Sequence, residues 1–579
     1  MAHNDPDTGG IRIDMGGRHS EQRAIGGWPN LVEVADLALR HFNEICDPSL
    51  GFMTYVGGSL GTRPPAFTRS MWDWVEASSY ALPGRIAARR LTGSTTGHEV
   101  EIGQRKLTLG AFHNLDGFAH RTYARGWSEN GRVILWEQAR VLFTLVSWFM
   151  ESEDERLLHY VRGMLEALKR ISRTEGKQRI FQDAYWRGES TFGDAGPVVL
   201  VEPLMKYHEL TGDADALDFC AGIINWVTAP QTRFVDEQYR FSGWLRALAA
   251  PLAAIVRFAA FTGEQAALNH ADRMFHAASS LVSRFGATPD TEPCCTTMEL
   301  TTAALALARA GHSRYWDDVD RWFRNHTLEC QFCDPRRIKE GCVDGDPKPA
   351  DDCHDVLKRS VGGFSWATAR ERLVDGPKLM LCCGGNAMWT LGKIVENSAV
   401  QESGGIAVNL HFSVDTPAAS ITNSEPFEGR LEIVPRKSGQ VRVRKPPFAA
   451  GIDSALDGAP ARPRVAGDYL VFDGVQAGAR IVLTYALPER TTEETTMETP
   501  FDGPSHNGMT YAPEKVDPVV RERIQTTWRG NTVLAIDYDE PSKHPREHRL
   551  YLDRLERFRN GAGRDATARF FVPHKPFDW

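Results

Sequence analysis

Leu210-Thr211-Gly212-Asp213 closes one apolar run and opens the next. Glycine suits the left-handed residue after a helix, and the acidic residue after it suits the N-cap of the following helix. The same punctuation recurs at Leu91-Thr92-Gly93-Ser94, Phe261-Thr262-Gly263-Glu264 and Arg309-Ala310-Gly311-His312. Gly212, Gly263 and Gly311 are about fifty residues apart, the length of one helical hairpin, and Ser152-Glu153-Asp154 falls midway between Gly93 and Gly212. Between the stops, apolar residues recur at three- and four-residue spacing over 30–45 (NLVEVADLALRHFNEI), 133–150, 157–171, 198–210, 245–261, 266–285 and 300–310. Roughly six hairpins fit between Asn30 and Val400, which predicts an (α/α)6 toroid, a helical barrel that closes on itself.

Two stretches interrupt the rhythm. One is 97–130, with His113, Asp116, His120 and Trp127; the other is 334–379, rich in Asp, Lys, Gly and Pro. Long loops in a compact domain tend to line sites. After Val400 the period becomes two: 406–412 (IAVNLHF), 431–435, 440–444, 469–472, 480–485 and 533–538 alternate as short strands between turn residues. These predict an antiparallel β-sandwich, with the polar stretch 489–518 as a wrapping loop. The expected division is a polar N-terminal arm at 1–28, a catalytic barrel at 29–400, and a β-sandwich with a C-terminal tail at 401–579.

With 579 residues the chain exceeds one ordinary core, and at 42% hydrophobic and 25% charged it has a globular composition. A formal charge of −8 argues against a nucleic-acid binder. The first residues lack a basic region followed by an apolar run, and the best apolar segment, 141–150, has the length of a buried helix rather than a membrane span. The expected location is therefore cytoplasmic. There ten cysteines stay reduced, and clusters of them read as metal or catalytic sites. The expected partner is a small-molecule or oligosaccharide substrate, with no nucleic acid and no membrane. Oligomeric state stays open, a homodimer included.

Two cysteine clusters carry the chemistry. Leu381-Cys382-Cys383-Gly384-Gly385-Asn386 holds an adjacent pair, and Glu292-Pro293-Cys294-Cys295 lies about ninety residues upstream. Adjacent sulfurs can reach one metal ion if the following glycines let the backbone turn tightly. Together the clusters offer a carboxylate and three or four thiols, enough for a tetrahedral zinc site; Cys294 and Cys295 are alternatives for one position. A separate clip is open to Cys330-Gln331-Phe332-Cys333 with Cys342 and Cys353, with His354 as a spare ligand. The plainer alternatives are ordinary buried thiols and a structural zinc site. His113 and His120 could floor a sugar pocket. Trp72 and Trp74 could stack on a sugar ring, although such aromatics more often fill a core. Asp73 and Glu76 read as a solvated helix face.

A toroid, an E-x-C segment, a Cys-Cys-small-small-Asn segment and a β-sandwich, in that order, resemble glycoside hydrolase family 127, the β-L-arabinofuranosidase type. The resemblance covers about residues 70–540, and the phrases at 311–325 and 406–410 are similar too. It implies zinc (Zn2+) bound by Glu292, Cys294, Cys382 and Cys383. It further implies that Cys382 is the nucleophile of a retaining hydrolysis of a furanoside or related unusual sugar. The family's acid/base is a Glu in a glycine-rich loop shortly before the Glu ligand. Here that loop is 285–291 (FGATPDT), without a Glu. Substitutes by sequence context are Asp290, Glu137, Asp183 and Glu299. Two other classes stay open: a non-hydrolytic carbohydrate-binding or scaffold protein of the same fold, and a polysaccharide lyase, which would need a Tyr or His base.

Overall fold

The structure is a computed structural model. It describes residues 13, 16–21, 23–24, 28–70, 73, 76–121, 133–181, 195–229, 235, 237–239, 245–288, 293–337, 343–365, 378–449, 451–498, 505–506, 509–510, 519–538, 566–575, 577 and 579.

Helices alternate between an outer and an inner layer. The outer ones are α1 (Leu31–Glu44), α3 (His98–Gly110), α5 (Glu155–Arg170), α7 (Ala214–Val227), α9 (Gln265–Ser279) and α11 (Trp316–Trp322). Their inner counterparts are α2 (Glu76–Thr92), α4 (Leu135–Ser152), α6 (Val201–Thr211), α8 (Leu245–Thr262), α10 (Pro293–Arg309) and α12 (Leu381–Ser398). The inner helices pack in cyclic order, and α12 returns to α2, so the ring closes as an (α/α)6 toroid. Alternation gives the inner helices one direction. Their N-terminal ends therefore gather at one mouth of the barrel and their C-terminal ends at the other.

The expected glycine stops turn left-handed at Gly93, Gly212, Gly263 and Gly311, but Glu264 after Gly263 makes no side-chain cap bond. Asn30, Asp154 and Asp213 cap α1, α5 and α7 through their side chains, and Gly212 ends α6 in the left-handed region at φ 73°. Layer position follows from pattern. Outer α5 buries one stripe, Leu157, Val161, Met164, Leu165 and Leu168, whereas inner α4 is buried all round from Leu135 to Trp148.

Three sequence expectations are corrected. His98–Gly110, placed in a long loop, is α3. Gly384 and Gly385, taken as a tight turn, lie inside α12. They serve helix contact instead: a Cβ on Gly385 would meet the Tyr80 carbonyl oxygen at 2.3 Å, and one on Gly84 would meet the Gly385 Cα at 2.8 Å. Thirdly, the stretch given to a wrapping loop holds strand Glu489–Glu498, paired antiparallel with Val519–Arg529, because its β-branched Thr residues suit a half-exposed strand. Within the N-terminal arm, Gly17–His19 pairs with Phe571–Pro573 and Arg23–Ala24 with Thr567–Ala568.

Beyond Ser398 the chain forms a five-stranded and a six-stranded sheet. All pairings are antiparallel except Gly405–Val408 with Gly439–Arg444, which is parallel. A buried polar junction joins this sandwich to the toroid. Arg324 donates to the carbonyls of Trp28 (2.6 Å) and His411 (3.3 Å) and to Asp320 (2.8 Å); Asn325 is bonded to Asn531 (2.7 Å) and Val533 (2.9 Å). No described helix is long and apolar enough to cross a membrane.

Glu425 lies at this junction and accepts the Tyr485 hydroxyl at 2.6 Å. Burial raises its carboxyl from 4.5 to about 7, against the Arg324 charge and the Tyr485 bond. Its protonated form therefore favours the fold below about pH 4.5, and that contribution is lost as pH rises through about 7. Glu425→Gln should remove a pH-dependent loss of up to about 3 kcal/mol across this window. Urea unfolding of both proteins on either side of the window measures it; an unchanged slope in the variant would exclude Glu425 as its source.

Candidate metal centre

The strand Lys378–Met380 pairs with Gly57–Ser59, and the Leu381 N–H donates to the Val56 carbonyl at 2.8 Å. This seats the first turn of α12, which carries Cys382 and Cys383, against the first turn of α10, which carries Cys295. No side chain caps α12. The positive ends of two long helices thus converge on the thiols, an environment that favours thiolate. Cys295 Sγ is 3.2 Å from Cys383 Sγ and 3.8 Å from Cys382 Sγ, and all three sulfurs lie within 4.8 Å of one another. Thiolates about 2.3 Å from a tetrahedral zinc lie about 3.8 Å apart, so this donor set fits such an ion with sub-ångström adjustment.

Charge is distributed unequally over the cluster. Burial raises the Cys295 thiol, but its hydrogen bonding with Cys382 and Cys383 and the Arg246 charge outweigh it and hold Cys295 well below the ordinary thiol range. Cys382 is pushed well above that range by its bonds to Cys295 and Cys383 and by burial. Burial, then bonding to Cys294 and Cys295, does the same to Cys383. A divalent cation among the three sulfurs is what would let them ionise together.

Below the thiols the lumen is polar. Asn386 lies one turn from Cys382 on α12, and Glu299 one turn from Cys295 on α10. Asn386 hydrogen-bonds Cys295 and donates to Glu299 Oε1 at 3.2 Å, and Arg140 Nη2 pairs with the same oxygen at 3.2 Å. The Arg140 guanidinium stands over the rings of Tyr80 and Trp136, 4.5 and 4.6 Å from their centroids, and Arg246 donates to Tyr80 Oη at 3.0 Å. Arg140, Arg246 and Tyr80 were not singled out in the sequence. Their available signal was an arginine in the middle of α4, a helix otherwise too apolar to have a solvated face.

Other expectations divide. Cys294 is replaced by Cys295 in the three-thiol group. Successive helical residues are about 100° apart, and Cys294 turns to hydrogen-bond Cys330 and Cys383. That contact also takes Cys330 away from the proposed clip. Cys333 donates to the Gln331 carbonyl at 3.2 Å, and Cys353 is exposed. Among the described residues, Cys295, Cys382 and Cys383 form the one potential metal group. His113 is exposed, and His120 pairs with Asp116 at 2.8 Å; their ring contact is to each other. Glu137 is buried and accepts from Arg121 Nη2 at 2.5 Å. Asp73, read as solvated, is wholly buried; burial raises its carboxyl to about 7, with Arg69 opposing. Trp72, Trp74, Asp183, Asp290, Glu292 and Cys342 lie outside the described residues. The described part of the shortened loop turns at Gly286, φ 105°, and is tied to α10 by Thr297 Oγ1, which donates to the Gly286 carbonyl at 2.6 Å.

No family model and no curated protein matches the sequence. Solved structures do match the fold. A GH127 β-L-arabinofuranosidase from Geobacillus stearothermophilus T6 superposes with a TM-score of 0.51 at 15% identity, over 87% of this chain and 80% of that one. Another GH127 β-arabinofuranosidase gives 0.54 at 12% identity, covering 90% and 86%. A third, described as a glycoside hydrolase, gives 0.54 at 13%, covering 90% and 84%. The chain therefore has a glycoside hydrolase fold of the family 127 type, a helical toroid followed by a β-sandwich.

Reconstitution with cobalt(II) separates the adjacent cysteines, because thiolate ligands produce intense charge-transfer absorption. Cys295→Ser and Cys383→Ser should each abolish that band and lower zinc retention by roughly 10-fold or more, whereas Cys294→Ser should keep it. The reverse pattern would place Cys294 in the site.

Proposed function

We propose that the protein is a zinc-dependent, retaining glycoside hydrolase acting on a furanoside or related unusual sugar, with Cys382 as nucleophile. The observation that carries this reading is the thiol cluster at one mouth of a glycoside hydrolase toroid. Within it Cys382 keeps 5% exposure while Cys295 and Cys383 have none. A nucleophile needs access, and Cys382, though buried, is the one of the three with any.

Zinc, when bound, would supply the charge that keeps the Cys382 sulfur ionised near neutral pH. Cys295 and Cys383 would hold it with Cys382, and Glu292 would be the fourth donor that the family resemblance implies. Cys382 Sγ attacks the anomeric carbon as the bond to the leaving oxygen breaks, and that oxygen takes a proton. Water then attacks the same carbon, the carbon–sulfur bond breaks, and two inversions give net retention. We assign the proton transfers to Glu299, the candidate carboxylate joined to the thiols through Asn386. Glu137 is paired with Arg121 much as Glu299 is with Arg140, so the link through Asn386 is what favours Glu299. Arg140 and Asn386 position the Glu299 carboxylate.

A panel of aryl furanosides and pyranosides tests the reading. Cys382→Ser should lose roughly 10⁴-fold or more of kcat on the accepted glycoside, and mass spectrometry of quenched native enzyme should find the glycosyl mass on the peptide carrying Cys382. Glu299→Gln should lose roughly 10²–10⁴-fold and flatten the pH profile. Full activity in Cys382→Ser would exclude the covalent mechanism. An unsaturated, ultraviolet-absorbing product would make the protein a lyase.

A further inference from the structure

Towards the mouth opposite the cysteines lies a second, half-open cavity of about 310 Å3, lined by α6, α8, α10 and α12 and by Trp579. Such a volume is at the small end of ligand sites and suits a single sugar or a small anion. Its deepest charges are paired: Lys393 Nζ meets Glu202 Oε1 at 2.6 Å, both side chains being buried. Nearer the surface, Glu209 accepts from Arg257 Nη2 at 2.9 and 2.8 Å and from Lys206 Nζ at 3.1 Å. Both carboxylates on the wall are thus already satisfied by cations, and Arg309, which also lines it, donates through Nη1 to the Trp579 carbonyl at 3.1 Å.

One wall is Trp579. Its ring packs on Phe143 and Trp389, with centroids 5.1 and 4.8 Å away, and only 6% of the residue is exposed. The arrangement leaves two donors over. Arg257 Nη1 and Trp579 Nε1 are buried and meet no acceptor among the described residues. Buried N–H groups are nearly always bonded, so each calls for an acceptor. The cavity is the space from which one can come.

We infer that this cavity is a binding site for a small anion with several acceptor oxygens, such as a sugar carboxylate or a phosphate group. Arg257 Nη1 and Trp579 Nε1 donate to it. A cation already fixed by Glu209 loses little freedom when it takes a further acceptor, and the excess of cations over carboxylates on the wall selects negative charge. A neutral ligand would satisfy the two donors but leave the charge unanswered. The site lies at the other end of the barrel from the thiols and needs neither metal nor turnover.

Nuclear magnetic resonance of the full chain tests it. The indole N–H signal of Trp579 is assigned by its loss in Trp579→Phe, then followed through separate titrations with sodium phosphate and sodium glucuronate. Sodium chloride at equal ionic strength is the control. The signal should shift saturably with phosphate or glucuronate, and the responding anion identifies the source of the oxygens. Arg257→Gln should weaken that binding at least about ten-fold. Should Arg257→Gln not fold, calorimetric titration of Trp579→Phe replaces it, with a weaker affinity expected. A signal unmoved by both anions, or moved equally by chloride, would overturn the inference and leave water as the acceptor. So would an affinity unchanged in the variants. Cys382→Ser should bind as the native protein does, which keeps this outcome separate from the reading of the thiol site.

Discussion

No side chain can stand between α2 and α12 where Gly84 meets Gly385. The added Cβ of either would fall within 2.8 Å of the other helix's backbone. This close approach closes the ring. Because α12 is the last inner helix, its depth against α2 sets where its first turn arrives, and that turn carries Cys382 and Cys383. A bulkier residue at Gly385 would push α12 outward, away from α10 and Cys295. One steric constraint therefore governs both the architecture and the convergence of the sulfurs.

The barrel contains many buried charges, and they fall into two kinds. Between α2, α3 and α4, Arg89, Arg105, Glu101 and Glu151 bond one another, with Arg105 also over the Trp148 ring. Every carboxylate there has a guanidinium, as a buried charge requires. This network reads as structure. The thiol cluster differs: among the described residues its sulfurs bond one another. Arg246 acts on Cys295 through space. Groups that are buried, polar and incompletely compensated are where a ligand or ion would alter the energetics, and both mouths of this barrel have them.

Polar residues along α4 are explained by the same distinction. Arg140 lies in a helix buried on all sides, so its charge must be met inside the protein. Glu299 on α10 meets it, and the faces of Tyr80 and Trp136 share it. Because α10 also carries Cys295 and α12 carries Asn386, the pairing draws three inner helices together directly beneath the thiols.

Local patterns determined the toroid and the sandwich. Glycine stops at Gly212 and Gly263, capping by Asn30 and Asp213, and alternation around Leu431 and Val441 depend on a residue's own backbone and its near neighbours, so they can be read in order. The glycines of 384–385 could not be: a tight turn and a helix crossing both demand a missing Cβ, and only Gly84, some three hundred residues away, decides between them. Cys294 and Cys295 posed the same problem. They are chemically identical neighbours, and the choice between them is made by the rotation of α10 about its axis. That rotation is set by packing on α8 and α12, which no stretch of sequence encodes alone.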